Sequence, residues 1–191
     1  MYRLLLKRFF DLFFGLLLLF LVSPILLLSI ILIRIESHGP AFYIQHRLGK
    51  NYKTFNLYKL RSMAHRQRSV HFQTVPGDPE ITFVGRIIRR LKIDELPQLI
   101  NVIKGDMSFV GPRPCLPDLA EQFDDNGKYR INVRPGLTGL AQINGNIYLT
   151  WPERWVFDRM YVENLNFRLD LEILIRTFAV ILLGERFFLK K

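Results

Sequence analysis

Residues 12–33 hold 22 consecutive positions without a charge, with Ser23-Pro24 near the centre. At about 1.5 Å per residue, a helix of this length matches a bilayer core of roughly 30 Å. Proline inside a helix removes a backbone hydrogen bond and clashes with the preceding turn, at about 3 kcal/mol, so a sharp bend is expected there. A segment bent in half enters a membrane and returns through the same face. The flanks agree: Arg3, Lys7 and Arg8 precede the run, and Arg34 opens a basic stretch after it. Cytoplasmic flanks are the ones that collect Lys and Arg, and here both do. The expectation is a re-entrant, monotopic anchor over residues 1–36, followed by a membrane-associated cytoplasmic domain over residues 37–191.

A cleaved signal peptide is the competing reading of this N-terminus. The apolar run is longer than a usual signal core and has no obvious small-residue cleavage site, which favours a retained anchor. A hydrophobic content of 49% supports a packed core of moderate size. The formal charge of +10 is unevenly placed: residues 34–68 hold eight Lys or Arg against Glu36 alone. That balance suits anionic headgroups, phosphorylated ligands or nucleic acid. One cysteine, Cys115, excludes an internal disulfide and fits a reducing compartment.

The remainder reads as α+β, mostly helical. Two β-prone runs, AFYIQHRLG and KTFNLYKLRSM, flank Gly49-Lys50-Asn51 and predict a short hairpin. Residues 64–79 form a polar loop. In residues 81–92, Phe83, Val84, Ile87, Ile88 and Leu91 lie opposite Arg86, Arg89, Arg90 and Lys92. This is a basic amphipathic helix, suited either to the headgroup region or to a solvated surface, and the anchor favours the membrane. A second helix is expected over residues 95–104, stopped by Gly105, then a rigid loop over 109–117 and a turn-rich stretch over 129–146. Residues 151–164 read as helix. The apolar tail, residues 171–188, is too interrupted to span and reads as a core helix or one lying on the bilayer.

Asp94-Glu95 falls between the two predicted helices. Asp94 can cap the second one, with Glu95 complementing its dipole. Alternatively the pair serves phosphate chemistry: two carboxylates repel a phosphate unless a divalent cation intervenes, and Mg²⁺ favours one or two carboxylates plus phosphate oxygens. A carboxylate also serves as a covalent nucleophile. Arg113 stands between Pro112 and Pro114, held out rigidly either for phosphate or for a salt bridge. Lys59 and Arg61 share one face of a β-prone segment and are phosphate candidates or members of a solvated strand face. No Gly-rich phosphate loop is present, and His38, His46, His65 and His71 lack metal-ligand spacing.

The strings KLRSM (59–63), DELPQLINVIKGDMSFVGPRP (94–114), RPGLTGLAQINGN (134–146) and YVENLNFRLDLEILIRT (161–177) resemble the signature blocks of bacterial sugar transferases, more narrowly the small monotopic phosphoglycosyl transferases. With the Ser-Pro-interrupted anchor, the resemblance covers nearly the whole chain in order. It implies transfer of a sugar-1-phosphate from a UDP-sugar to polyprenyl (undecaprenyl) phosphate, with release of UMP, as the first membrane step of glycoconjugate or polysaccharide synthesis. It implies Asp94 as covalent nucleophile, Glu95 and Asp94 as Mg²⁺ ligands, and Arg113 as nucleotide-sugar contact. Lys59, Arg61, Arg89 and Asp170 join the substrate-binding set. The implied partners are inner-leaflet phospholipid and downstream glycosyltransferases, not nucleic acid, at the cytoplasmic face of a bacterial inner membrane. Longer members carry extra transmembrane helices before this core, so the chain corresponds to a minimal catalytic form.

Two positions depart from the family pattern. Asn164-Leu165-Asn166 stands where Asn-Trp-Ser is common, and Asn146 where the Gly-Leu-Thr-Gly block commonly ends in Arg. Two other functions fit parts of the chain. A membrane-surface adaptor accounts for charge and anchor but not for Asp94-Glu95 near Pro-Arg-Pro. A membrane phosphatase with an aspartyl intermediate needs no lipid acceptor.

Overall fold

The computed structural model describes residues 2–64 and 78–183. Most of the predicted polar loop, with His65 and His71, and the end of the apolar tail lie outside these residues. After a wide turn at Tyr2–Leu6, helix α1 runs Lys7–Glu36, followed by an antiparallel hairpin of β1 (Phe42–Leu48) and β2 (Thr54–Leu60). Next come α2 (Phe83–Arg90), a 3₁₀ turn at Ile93–Glu95 and α3 (Gln98–Lys104). Strands β3 (Ser108–Val110) and β4 (Gly136–Thr138) pair in parallel, and α4 (Leu140–Ile143), α5 (Trp151–Asn164) and α6 (Phe167–Leu183) complete the chain. The α+β, mostly helical reading holds, and the hairpin falls where the β-prone runs lie.

The helical assignment of α1 runs without interruption through Ser23-Pro24, where the sequence pointed to a break. Pro24 cannot donate to the carbonyl of Phe20, four residues back. The Ser23 hydroxyl donates to that carbonyl instead, at 2.8 Å. In a lipid setting, where an unpaired backbone oxygen costs several kcal/mol, this substitute bond keeps the ladder closed.

One stripe of α1 packs against the rest of the protein along its whole length. Asp11, Gly15, Leu26, Ser29 and Ile33 are buried, and Leu19 and Val22 are partly so; all are spaced by multiples of three and four. The opposite faces, including Phe9, Phe13, Phe20, Leu27 and Ile31, are exposed. Both ends of the helix are fastened to the same body. Arg8 donates to the Val102 and Ile103 carbonyls at 2.6 Å each, satisfying orphan acceptors at the end of α3. Asp11 accepts from the Ser108 hydroxyl at 3.0 Å and the Phe109 amide at 3.1 Å. At the far end, Glu36 accepts from the Phe83 and Val84 amides that open α2. A helix of 30 residues extends about 45 Å. With both ends bonded to one body, α1 does not place that body's contacts on two sides of a bilayer. It is a monotopic helix.

The exposed apolar surface of α1 continues onto two further helices. Phe83, Ile87 and Leu91 project from α2, and Phe167, Leu171, Ile175 and Phe178 from α6. Phe167 at the start of α6 touches Phe10 of α1 (ring centroids 5.8 Å apart), and α2 packs on α1 through Ile88. An apolar surface this extensive on a folded chain marks a partner that is itself apolar. α1 is long and apolar enough to cross a membrane, and only 11% of its apolar window is buried, unlike the core helix of a soluble protein. The chain is a membrane protein.

Candidate active site

Asp94 does not cap a helix. The expected cap position is displaced because the first turn after α2 is 3₁₀, and α3 starts at Gln98 behind Pro97, with no side-chain cap. Lys92, in the left-handed region at φ 58°, turns the chain out of α2 and sets Asp94 and Glu95 on the short turn. Ile93 and Leu96 pack into the cluster built on Leu26 and Ile33 of α1, which seats the turn carrying the two carboxylates against α1.

Asn101, fully buried in α3, fixes β2 beside this turn. Its side chain accepts from the Tyr58 amide at 3.1 Å and donates to the Asn56 carbonyl at 2.7 Å. That clip carries Lys59 to Glu95, with Nζ 3.0 Å from Oε1. Arg113 reaches the same oxygen from the Pro-Arg-Pro loop, its Nη2 at 2.9 Å. The loop is itself placed by the β3–β4 pair, where Gly111 and Gly136 approach so closely that a Cβ on Gly136 would collide with the Gly111 backbone.

Burial pushes the Glu95 carboxyl upward, but Arg113 and Lys59 outweigh it and hold the group at about 2. Asp94 behaves oppositely. Burial, then the adjacent Glu95 charge, raises its carboxyl above the ordinary aspartate value, and Lys59, Arg89 and Lys92 pull it partly back. The neighbouring acids are thereby separated: Glu95 is permanently ionised, and Asp94 is a desolvated carboxylate whose basicity is raised. Arg89 is oriented by its Nε bond to the Ser62 hydroxyl at 2.8 Å.

Lys59 and Arg113 grip only Oε1 of Glu95. Oε2 of Glu95 and the Asp94 carboxyl are the oxygens that could hold Mg²⁺, which takes few protein carboxylates and completes its shell with phosphate and water oxygens. Among the described residues, no cluster of three or more His, Cys, Asp or Glu offers an all-protein cage.

Lys59 and Arg113, which grip Glu95, also line a cleft of about 120 Å³ together with Arg47, Arg130, Gln142 and Trp151. Arg130 donates to the Arg113 carbonyl, faces Asp158 at 3.6 Å and lies 6.0 Å from the Trp151 ring centroid. Burial raises the Asp158 carboxyl to about 6 in spite of Arg130.

Two residues expected at the substrate are elsewhere. The Arg61 guanidinium turns inward and donates to the carbonyls of Ser37 (2.7 Å) and His38, closing the end of α1. It lies beyond the last residue of β2, so alternation along the strand does not place it beside Lys59. Asp170 is buried under the start of α1, accepting from Lys7 at 2.6 Å, Tyr2 at 2.5 Å and Tyr161 at 2.8 Å. Both are structural fasteners of α1. Sequence reasoning missed Arg47, Arg130 and Trp151, which reach the cleft from distant segments without any local pattern; Gln142, like Asn146, lay in a string already singled out.

A membrane-bound enzyme with a carboxylate pair between an apolar belt and a cationic cleft is the class this geometry defines. The chain belongs to the bacterial sugar transferase family, whose model matches residues 2–184. It is 43% identical over 180 residues to the uncharacterized sugar transferase EpsL of Bacillus subtilis, covering 94% of this chain and 89% of the relative. It is 37% identical over 195 residues to the exopolysaccharide production protein ExoY of Sinorhizobium fredii, covering 94% and 86%. It is also 37% identical over 193 residues to the undecaprenyl-phosphate galactose phosphotransferase of Salmonella typhimurium, covering 93% of this chain and 40% of that protein.

Proposed function

We propose that the chain transfers a sugar-1-phosphate from a UDP-sugar to polyprenyl phosphate through a covalent intermediate on Asp94. The observation that supports this best is the placement of Asp94 and Glu95 between two surfaces of opposite character. Ile93 and Leu96, flanking the pair, pack against α1, whose outer face is apolar, and Lys59 and Arg113, which grip Glu95, line a cleft rich in Arg. A polyprenyl tail leaves lipid only at about 0.8 kcal/mol per CH₂, so its phosphate has to be met at the membrane boundary. A nucleotide-sugar is anionic and water-soluble and enters from the cationic side. The Salmonella relative is named for phosphotransfer between undecaprenyl phosphate and a sugar, galactose.

In the first half-reaction an Asp94 carboxylate oxygen forms a bond to the β-phosphorus of the UDP-sugar. The bond from that phosphorus to the bridging oxygen breaks, and UMP leaves with the electron pair. Arg113 and Lys59 stabilise charge on the transferring and leaving phosphates. In the second, an oxygen of polyprenyl phosphate attacks the same phosphorus, the acyl phosphate bond breaks, and Asp94 is returned as a carboxylate. Glu95 and Asp94 would hold Mg²⁺, which when bound would supply charge neutralisation at the phosphates. α1 dips into one leaflet at Ser23-Pro24 and keeps both ends on the side of the body, at the cytoplasmic face of a bacterial inner membrane. Its product passes to downstream glycosyltransferases.

Membranes carrying the protein, incubated with a panel of UDP-sugars, polyprenyl phosphate and Mg²⁺, are expected to yield UMP and a lipid-linked sugar diphosphate. Chelation by EDTA abolishes both products, and added Mg²⁺ restores them. UMP formation without lipid product, or lipid product insensitive to EDTA, contradicts the scheme.

Asp94 must be ionised to attack, so activity falls on the acid side through its raised titration. Arg89→Met removes one of the charges that lower it. The acid limb of kcat/KM is therefore expected to move to higher pH. An unmoved limb would show that Arg89 does not govern the nucleophile's ionisation.

A further inference from the structure

Six side-chain N or O atoms among the described residues are buried without a hydrogen-bond partner, and four of them belong to Arg47, Arg130 and Gln142, all lining the one cleft. Buried polar groups are nearly always satisfied, so a concentration of unpaired ones at a single concave site points to a site that takes a polar ligand. Arg130 is 6% exposed, with Nη1 unpaired; on Gln142 both the amide nitrogen and the amide oxygen are unpaired.

The groups also come in an order. From Glu95 the contacts run to Arg113, from the Arg113 carbonyl to Arg130, and from Arg130 to the Trp151 ring, which Arg154 covers at 4.7 Å. The phosphorus under attack has to lie at Asp94, so the second phosphate falls toward Arg113 and Arg130. What remains of the donor, the nucleoside, falls at the far end beside Trp151 and Gln142.

We propose that Gln142, with Trp151 and Arg130, forms the subsite for the nucleoside of the donor, and that the Gln142 amide selects uracil. This rests on the UDP-sugar reading above. A primary amide offers one acceptor and one donor side by side, and the imide edge of uracil offers the complementary N–H and carbonyl. Trp151 provides a flat wall for the base. Arg130 adds a fixed cation for the phosphate next to the ribose, its unpaired Nη1 being a ready donor.

The proposal is tested by calorimetric titration of the full-length protein in lipid nanodiscs with UDP, ADP and inorganic pyrophosphate. The wild type is expected to bind UDP more tightly than ADP or pyrophosphate. Gln142→Leu is expected to weaken UDP about tenfold or more, the discrimination a bidentate base contact supplies, while pyrophosphate stays within about twofold. Its ligand-free melting temperature should not fall, because the amide makes no contact that leucine would break. Gln142→Asn, which withdraws the amide by one methylene, should lose the same preference and serves if the leucine variant does not fold. Arg130→Met should weaken UDP and pyrophosphate together. An unchanged preference for UDP over pyrophosphate in both Gln142 variants, or equal loss of both ligands, overturns the proposal. If the preference changes as expected but no UDP-sugar is turned over, the nucleoside subsite stands and the transferase reading fails.

Discussion

Asp94→Asn is expected to lower UMP release from the UDP-sugar by at least about 10³-fold, some 4 kcal/mol of transition-state stabilisation, while leaving the protein in the membrane. Asparagine keeps the shape of the side chain and cannot form the acyl phosphate. Its effect on stability has the opposite sign. Burial and Glu95 raise the folded titration of Asp94 above the ordinary 3.8. The fold therefore favours the protonated form, and stability is lost as pH rises through that raised value. At neutral pH the asparagine variant carries no buried charge there, so its melting temperature should match or exceed that of the wild type. A variant that is both inactive and unstable would point to a structural role for Asp94; full activity would exclude it as nucleophile.

The second large effect lies far from the cleft. Asp170→Ala is expected to destabilise the protein by about 3–5 kcal/mol, the cost of leaving one member of a buried ion pair alone. The side chains of Lys7 and Asp170 are 13% and 6% exposed, and Tyr2 and Tyr161 donate to the same carboxylate. Removing it takes the shared acceptor from Lys7 and Tyr2, leaves Tyr161 only its bond to the Val110 carbonyl, and releases the start of α1 from α6. Thermal melts of the purified protein in nanodiscs measure the loss. UDP affinity, measured below the lowered melting temperature, should stay near the wild-type value. Loss of UDP affinity with unchanged melting would instead return Asp170 to the substrate site.

Local sequence pattern carried the hairpin, the amphipathic α2, the α5 boundaries and the Gly105 stop, because each depends on residues a few positions apart. Gly105, at φ 90°, ends α3 in the conformation its lack of a Cβ allows. The β3–β4 parallel pair was not legible: its strands are three residues each and separated by 25, too short for any alternation to show. The contacts of the charged start of α1 were not legible for a related reason. Lys7 and Arg8 looked like a positive flank, but their partners, Asp170 and the end of α3, lie 163 and about 94 residues away in sequence. The grouping of Asp94, Glu95 and Arg113 was readable, since they stand in one specific string. The cleft was not, because Arg47 and Arg130 gain meaning only when β1 and the turn at Gly127–Asn132 are brought together.

The most direct measurement is the mass of the intact protein after incubation with UDP-sugar and Mg²⁺ in lipid nanodiscs lacking polyprenyl phosphate. The expected result is an increase equal to one sugar phosphate, mapped by peptide fragmentation to Asp94 and discharged on addition of the lipid acceptor. No adduct, or one on another residue, in a preparation that still makes the lipid product would contradict covalent transfer through Asp94.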